Sequence, residues 1–350
     1  MGKIRALVVE DSLTIRKRII EVLSADPEIE VVGEAADGKR AIELCLELRP
    51  DVITLDMMLP VMTGLAATEY IMAHQPTPIL IVSASTNRGE LFRTYDALAA
   101  GAVDVLDKPE GTELDDAWER KLASTVKLVS RIKVITHLRA KLAGSRAPAP
   151  TPAIGDATLR AVAMGVSTGG PGALHEIVRA LPADFPLPIL LVIHISEPFG
   201  RAFAEWLDGL SPLRVAYARD GEPMPPVGGG RIVMAPPDRH LVVRGGRLRL
   251  TNDPERHSCK PSVDNLFESV AAELGRAAIG CLLTGMGRDG AAGLLAMRRA
   301  GGHTLAQDEA TSIVFGMPRE AIALGAADEI VALPDVARRL VALARVEGRP

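Results

Sequence analysis

Short apolar runs alternate with amphipathic stretches along residues 1–110. The runs cover residues 4–9, 31–34, 52–55, 79–82 and 103–106, and helical patterns such as residues 12–25 and 38–48 separate them. Nearly continuous apolar strands divided by helices are typical of a parallel sheet covered on both faces. The pattern therefore predicts five βα units in a doubly wound α/β domain over residues 1–110.

A longer helical pattern and a proline-rich segment come next. Apolar residues recur at steps of three and four between Leu114 and Leu142, which predicts a helix. Residues 144–152 alternate proline with small residues, as extended linkers do. We therefore assign residues 111–156 to a helix and linker between two domains.

A second α/β pattern occupies residues 157–350. Its apolar runs cover residues 161–166, 189–195, 232–235, 278–284 and 303–306. Helical patterns between them favour a second doubly wound, mostly parallel sheet. Residues 231–250 look extended, and Gly245-Gly246 predicts a hairpin turn within them.

Composition excludes several classes of protein. The 350 residues are 47% hydrophobic and 24% charged, with a net charge of −4, so the basic footprint of a nucleic-acid binder is missing. No apolar run reaches the roughly 18 residues needed to cross a bilayer. Met1 leads into a strand-like run without the apolar stretch of a signal peptide. We therefore expect a cytoplasmic protein with no nucleic-acid partner and no direct membrane insertion.

The three cysteines are too few and too dispersed to predict a disulfide framework or a zinc site. Cys45 and Cys281 lie in apolar segments and are expected to be small core residues. Cys259 lies in a polar loop, where we expect an accessible thiol.

Polar side chains follow the predicted strands of residues 1–110. They are Glu10, Asp11, Asp56, Ser83 and Lys108. In an open parallel sheet such residues converge at the carboxyl ends of the strands. Three convergent carboxylates favour a hard cation, and Mg²⁺ fits because it leaves ligand positions open for phosphate oxygens. One acid at a strand end is usually a solvated loop residue, but five suitable residues at five strand ends indicate a site.

This pocket can support phosphoryl transfer to a carboxylate. One acid would act as the nucleophile, while Lys108 supplies a charge and Ser83 a hydroxyl donor. The set resembles the receiver domain of two-component response regulators. The resemblance rests on Glu10-Asp11, Asp56 with Pro60 and Gly64, Ser83-Ala84 and Lys108-Pro109.

The resemblance to receivers implies a flavodoxin-like fold in which Asp56 accepts a phosphoryl group from a histidine kinase. It implies that Mg²⁺ binds Glu10, Asp11, Asp56 and the carbonyl of Met58. It further implies a cis bond between Lys108 and Pro109. Val105 departs from the family, because many receivers carry an aromatic switch residue there, and this puts the usual rotamer switch in question.

A glycine-rich turn follows the first predicted strand of the second domain. Residues 165–169 fit the G-x-S-x-G pattern, in which a strand, turn and helix expose a nucleophilic serine, here Ser167. Amides at the start of the helix can stabilise an oxyanion. A phosphate-binding loop ranks lower, since the Walker lysine and the G-x-G-x-x-G spacing are missing. A structural glycine turn is the other alternative.

A nucleophilic serine needs a base and a carboxylate that orients it. His194 ends an apolar run and Asp289 follows another, so we expect both on the rim that carries Ser167. Their chain order is unusual, but geometry rather than order defines a triad. The alternatives left open are His240, His257 and His303 as the base, and Asp220 and Asp264 as the acid.

The combined motifs resemble the CheB family of chemotaxis protein-glutamate methylesterases. The resemblance rests on residues 165–171, His194 and residues 261–264, 283–291 and 316–318. It implies demethylation of glutamate methyl esters on methyl-accepting chemotaxis receptors, and deamidation of receptor glutamines. A chemotaxis histidine kinase would be the phosphodonor.

The resemblance to CheB proteins also implies a role for each residue. Ser167 would attack the ester, His194 would transfer its proton and Asp289 would orient the imidazole. Backbone amides near the serine and the later glycine loop, at Thr168 and Met286, would bind the oxyanion. No metal or other cofactor is expected in this half.

Two other functions stay open. The second domain could bind a partner without turnover, or hydrolyse a different ester or amide. Methanol release from methylated receptors, compared with Ser167→Ala, tests the first alternative, and a panel of substrates tests the second. A DNA-binding output has little support, because the second half is longer and richer in strands than a helix-turn-helix module.

Overall fold

The computed structural model describes residues 2–84, 87–108, 116–132, 134, 158–195 and 197–345. The chain divides into two compact units, Met1–Arg139 and Ala140–Pro350. The predicted linker, the Lys108-Pro109 bond and the predicted helix beyond residue 134 lie outside the described residues. No helix in the described ranges is long and apolar enough to cross a membrane.

The first unit is a five-stranded parallel sheet with helices. Its strands are β1 (Ile4–Val9), β2 (Ile29–Ala35), β3 (Val52–Leu55), β4 (Ile79–Ser83) and β5 (Asp104–Asp107), in the order β2-β1-β3-β4-β5. Its helices are α1 (Leu13–Ala25), α2 (Gly38–Leu48), α3 (Gly64–His74), α4 (Arg88–Ala99) and α5 (Asp116–Val129). Helix α1 packs against α5, whereas α3 packs against both α2 and α4. The predicted fold is confirmed, with small shifts at the strand ends.

Burial and register explain where the polar side chains converge. Every residue of β3 and β4 is buried, because helices on both faces require apolar side chains on both sides. Val9 is paired with Leu55, so the residues that follow β1 and β3 are neighbours. Ser83 is paired with Asp107, which brings Lys108 to the same edge of the sheet.

The second unit contains a seven-stranded parallel sheet and a hairpin. The sheet strands are β6 (Ala161–Val166), β7 (Ile189–Ile193), β8 (Arg214–Tyr217), β9 (Arg231–Met234), β12 (Ala278–Leu282), β13 (His303–Gln307) and β14 (Glu329–Val331). Their order is β14-β13-β12-β6-β7-β9-β8. Strands β10 (His240–Arg244) and β11 (Arg247–Thr251) form an antiparallel pair. Gly245 and Gly246 join them at φ values of 60° and 67°, which confirms the predicted hairpin turn.

The helices of this unit follow its strands. They are α6 (Gly170–Ala180), α7 (Phe203–Leu210), α8 (Val263–Leu274), α9 (Ala291–Arg299), α10 (Met317–Ala323) and α11 (Leu333–Arg345). Strands β7 and β12 end earlier than the apolar runs that predicted them. Strands β8 and β14, at the two edges of the sheet, were not predicted.

Strand β6 lies between β12 and β7, and this arrangement positions the site. Val166 is paired with Ile193, and Gly165 is paired with Leu282. Residues that directly follow these three strands therefore meet at one edge of the sheet.

Candidate phosphoryl-acceptor site and candidate active site

The first unit brings its predicted polar side chains into one buried pocket. Lys108 Nζ lies 2.8 Å from Glu10 Oε2 and 2.9 Å from Asp56 Oδ2. Glu10 and Asp56 are 0% and 2% exposed, whereas Asp11 is exposed. The hydroxyl of Ser83 is buried and has no hydrogen-bond partner among the described residues. The pocket therefore contains one cation, two buried carboxylates and an unused hydroxyl.

The carboxylates of this pocket fit a divalent cation. One oxygen from each of Glu10, Asp11 and Asp56 lies within 4.8 Å of the others. Burial, opposed by the hydrogen bond from Lys108 and aided by the charge of Asp56, raises the pKa of Glu10 to about 7. A hard cation with oxygen ligands relieves this crowding of negative charge. The donor set is therefore suitable for Mg²⁺.

A glycine keeps the loop after Asp56 compact. A Cβ atom on Gly64 would lie 2.2 Å from the carbonyl oxygen of Asp56, so α3 can begin this close only at a glycine. The amide of Met57 donates to Asp56 Oδ1 at 2.7 Å, which leaves Oδ2 beside Lys108. Met58 is 43% exposed, and its sulfur lies 3.3 Å from a guanidinium nitrogen of Arg93.

Val105 occupies the position where an aromatic switch residue is common in receivers. Its side chain is 8% exposed and belongs to the core of β5. A buried aliphatic side chain lacks the large ring whose rotation would change the surface.

The predicted serine turn lies between β6 and α6. The amide of Ser167 donates to the carbonyl of Thr284 at 3.0 Å, and the amide of Gly170 donates to the carbonyl of Ser167 at 2.7 Å. A Cβ atom on Gly165 would lie 2.2 Å from Cγ1 of Val263, in the first turn of α8. The glycine is therefore required for close contact between β6 and α8.

His194 and Asp289 form a hydrogen-bonded pair at the same edge of the sheet. His194 Nε2 lies 2.9 Å from Asp289 Oδ2, and their side chains are 14% and 2% exposed. Asp289 also accepts hydrogen bonds from Ser262 Oγ at 2.8 Å and from the amides of Val263 and Asp264 at 2.7 and 3.1 Å. These donors belong to the N-terminus of α8, where an anion is stabilised. The carboxylate is consequently held in one orientation.

Hydrogen bonding favours the charged forms of this pair. Burial opposes the imidazolium, but the hydrogen bonds with Asp289 and Cys259 raise the pKa of His194 to about 9. Burial also opposes ionisation of Asp289, yet the hydrogen bond from His194 holds the pKa of Asp289 below its usual value. The site therefore stabilises the imidazolium that a general base forms when it accepts a proton.

Ser167 and His194 are neighbours but are not hydrogen-bonded. They follow the paired residues Val166 and Ile193, yet within the described ranges no hydrogen bond joins Ser167 Oγ to the imidazole. The other ring nitrogen, Nδ1, contacts Cys259 Sγ at 3.6 Å. Proton transfer from Ser167 therefore requires a side-chain rearrangement, and catalytic hydrogen bonds commonly tighten when substrate binds.

A second loop lies against Ser167. A Cβ atom on Gly285 would be 2.7 Å from Ser167 Cβ, and the adjacent Met286 is 50% exposed. The carbonyl of Thr168 is fixed by Thr284 Oγ1 at 3.0 Å. The amides of Thr168 and Met286 donate to no other described residue. Both amides are thus available to an oxyanion.

The alternative bases have other partners. His240 is fully buried, and its Nδ1 accepts from the amide of Ser262 at 3.1 Å. His303 Nε2 lies 2.5 Å from Glu329 Oε1, far along the sheet from the serine turn. His257 Nε2 lies 3.3 Å from Asp264 Oδ2. None of these three histidines is paired with Asp289.

The alternative acids support local structure. Asp220 accepts from the amide of Leu250 at 2.9 Å. Asp264 is fully buried and accepts from the amide of Gly293 at 2.6 Å, which joins α8 to α9. Burial raises the pKa of Asp264 against the lowering effect of that hydrogen bond. Asp264 therefore supports the pair through the backbone rather than through the imidazole.

Two contacts at this site were not predicted from the sequence. Ser262 caps α8 by accepting from the amide of Asn265 at 3.4 Å, and its hydroxyl also holds Asp289. A serine before a helical pattern is a recognisable capping signal, but the contact with Asp289 is not visible in the sequence. The contact between Cys259 and His194 also joins residues far apart in the chain.

Both units match known protein families. The CheB methylesterase family matches residues 162–340, and the response regulator receiver domain family matches residues 6–118. Among solved structures, the Thermotoga maritima CheB methylesterase catalytic domain is 35% identical, with a TM-score of 0.50. That match covers 53% of this chain and 99% of the other.

Similar proteins span nearly the whole chain. Protein-glutamate methylesterase/protein-glutamine glutaminase 4 of Myxococcus xanthus (strain DK1622) is 43% identical over 351 residues, covering 99% of this chain and 98% of that protein. Protein-glutamate methylesterase/protein-glutamine glutaminase 2 of Anaeromyxobacter dehalogenans (strain 2CP-C) is 44% identical over 342 residues, covering 98% and 97% respectively.

Proposed function

Because the chain belongs to the CheB methylesterase family, we propose that it is a phosphorylation-activated protein-glutamate methylesterase and protein-glutamine glutaminase. It hydrolyses glutamate 5-O-methyl esters on methyl-accepting chemotaxis receptors, releases methanol and converts receptor glutamines to glutamates. This activity serves chemosensory adaptation within a two-component phosphorelay. A chemotaxis histidine kinase supplies the phosphoryl group, and the expected location is the cytoplasm.

The proposal divides the chain by function. Residues 1–110 act as the receiver, residues 111–156 connect the domains, and residues 157–350 act as the hydrolase. The observation that carries the hydrolase assignment is the paired His194 and Asp289 beside Ser167. An adaptor that only binds a partner has no need of a buried, oriented imidazole at the end of a serine turn.

The reaction begins with attack of Ser167 Oγ on the ester carbonyl. Since Nε2 of His194 faces Asp289, the proton of the serine goes to Nδ1. The amides of Thr168 and Met286 donate to the oxyanion of the tetrahedral intermediate. Collapse of this intermediate breaks the bond to the methoxy oxygen, which takes the proton from Nδ1 and leaves as methanol.

Hydrolysis of the acyl-enzyme repeats these steps with water. The oxygen of a water molecule attacks the acyl carbonyl while His194 Nδ1 takes a proton from that water. Nδ1 then gives a proton to Ser167 Oγ as the serine leaves. Asp289 keeps Nε2 protonated throughout and stabilises the imidazolium. A glutamine side chain follows the same route and releases ammonia in place of methanol.

Asp56 controls this activity as the phosphoryl acceptor. Its Oδ2 attacks the phosphorus of the kinase phosphohistidine, the P–N bond breaks and the histidine leaves, while Lys108 Nζ and the unused hydroxyl of Ser83 donate to the phosphoryl oxygens. Glu10, Asp11 and Asp56, with the carbonyl of Met58, would hold Mg²⁺, which neutralises charge on the acid cluster and the incoming phosphate. Phosphorylation must favour a receiver state that restrains the hydrolase less, since a ligand shifts an equilibrium only by interacting differently with its two states.

The decisive experiment measures methanol release from membranes that carry methylated receptors. The full chain is assayed with and without a small-molecule phosphodonor, beside Ser167→Ala and the control Ser124→Ala, which removes an exposed hydroxyl from α5. We expect stimulated release from the wild type and the control, and none from Ser167→Ala. Release by Ser167→Ala at the wild-type rate would refute the mechanism, whereas no release by any of the three would favour the adaptor.

A further inference from the structure

His194 and Cys259 place a nitrogen and a sulfur donor at the spacing of a metal site. Their Nδ1 and Sγ atoms are 3.6 Å apart. In tetrahedral zinc sites, Zn–S bonds of about 2.3 Å and Zn–N bonds of about 2.0–2.1 Å separate two such donors by about 3.6 Å. The two donors therefore lie at the separation expected for two ligands of one tetrahedral cation.

Asp289 completes this arrangement from the far side of the imidazole. Its Oδ2 lies 2.9 Å from His194 Nε2, which leaves Nδ1 as the ring nitrogen that faces the thiol. A carboxylate that accepts from the second ring nitrogen is the usual outer partner of a zinc-bound histidine, and it increases the basicity of the ligand. The oxygens of Asp289 already accept four hydrogen bonds, so its place is behind the histidine rather than on the metal.

A short, rigid loop presents the thiol. Arg256 and Cys259 exchange backbone hydrogen bonds of 3.2 and 2.9 Å, and His257 and Ser258 between them have φ values of 54° and 58°. Non-glycine residues keep such a conformation only where surrounding contacts enforce it. The guanidinium of Arg256 forms two hydrogen bonds with Glu268 of α8, at 2.6 and 2.7 Å.

Access and ligand chemistry point to a soft cation that solvent can deliver. Cys259 is partly exposed, unlike Cys45 and Cys281, which are buried. A thiolate with an imidazole favours Zn²⁺ over Mg²⁺, which prefers oxygen ligands. Two protein ligands leave the other tetrahedral positions to water. Sequence spacing gave no hint of this site, because its two donors are distant in the chain.

We propose that His194 and Cys259 bind Zn²⁺ and that the bound ion blocks the hydrolase. The cation is held by Cys259 Sγ and His194 Nδ1, and any proton that either atom carries passes to solvent as the metal binds. That nitrogen is the atom that must accept the serine proton, so metal binding and catalysis exclude each other. The inhibition rests on the proposed hydrolase function, whereas the metal site itself does not.

Cobalt binding tests the site independently of catalysis. The metal-free full chain is titrated with Co²⁺, and a thiolate ligand produces a charge-transfer band in the near ultraviolet. We expect this band in the wild type and in the control Cys45→Ala, and its loss in Cys259→Ala. Zn²⁺ should abolish the band by displacing Co²⁺, whereas Mg²⁺ should not. An undiminished band in Cys259→Ala, or no band in the wild type, would overturn the proposal.

Methanol release then tests the block. The Mg²⁺ concentration is kept constant, and the Zn²⁺ concentration that halves the rate is measured for each protein. This concentration should be at least about tenfold lower for the wild type and Cys45→Ala than for Cys259→Ala, because loss of a group in or around a metal site weakens metal binding by about this factor or more. Equal Zn²⁺ sensitivity would refute the block. A cobalt band in a wild-type protein that releases no methanol would refute the proposed hydrolase function and leave the metal site intact. Methanol release by a wild-type protein that shows no cobalt band would refute the metal site and leave the hydrolase function intact.

Discussion

Replacing Asp289 with asparagine tests whether this carboxylate orients His194. Asp289 accepts hydrogen bonds from His194 Nε2, Ser262 Oγ and the amides of Val263 and Asp264. Asparagine keeps one acceptor oxygen and replaces the other with an NH₂ group. If NH₂ takes the place of Oδ1, the hydroxyl of Ser262 can turn to accept from it. In that orientation only the amide of Asp264 loses its partner.

The expected effects on stability and on rate differ in size. A buried amide without a partner costs about 1–3 kcal/mol, and each kcal/mol lowers the melting temperature of a domain of 150–250 residues by roughly 2–4 °C. Asparagine in this orientation keeps the tautomer but removes the negative charge that stabilises the imidazolium, so kcat should fall by up to about 10⁴-fold, the loss for the same change in a serine protease triad. Stability would therefore fall modestly, while catalysis would nearly stop.

Calorimetry and initial rates of methanol release at saturating receptor measure these two effects. The control Asp253→Asn changes an exposed acid of the same unit and should preserve both melting temperature and kcat. A lower melting temperature for Asp289→Asn with a wild-type kcat would show that Asp289 only supports the fold. That result would refute the orienting role.

Three further variants test other parts of the structure. Gly165→Ala forces a methyl group against Val263 and should cost about 1–3 kcal/mol, seen as a lower melting temperature; an unchanged melting temperature would contradict the tight contact. Asp56→Asn should remove stimulation of methanol release by a phosphodonor, and equal stimulation would disprove Asp56 as the acceptor. Burial opposes ionisation of Glu329, but the hydrogen bond from Arg339 holds its pKa below the usual value. The resulting stability is present above the unfolded pKa and is lost as pH falls through the folded one. Glu329→Gln should therefore unfold more easily than wild type at pH 7, by roughly 1 kcal/mol, and this difference should shrink as the pH falls below the unfolded pKa; a difference that stays constant with pH would contradict this.

The central strands of both sheets were predictable because burial on both faces makes them continuously apolar. Strands β6, β7 and β12 are of this kind, and each ends next to one residue or loop of the candidate active site. Strands β8 and β14 lie at the edges, and all of their residues except Val215 are partly buried or exposed. Their sequences therefore lack the apolar signal.

The positions of Ser167, His194 and Asp289 at strand ends could also be anticipated, but their contacts could not. A pattern of strands predicts which residues reach one edge of the sheet, since register aligns neighbours. The choice of ring nitrogen, and the approach of Cys259 to His194, depend on side-chain rotamers and on a turn from another part of the chain. No local sequence pattern encodes these long-range contacts.

The position of β6 also determines which strand edge a partly synthesised hydrolase domain exposes. β6 pairs with β7 on one side and with β12 on the other, and β12 begins only at Ala278. A nascent chain that has already formed β6 and β7 therefore carries an apolar strand with one open edge, and such edges recruit other chains. Chains that end before β12 should accordingly aggregate more readily than chains that include it.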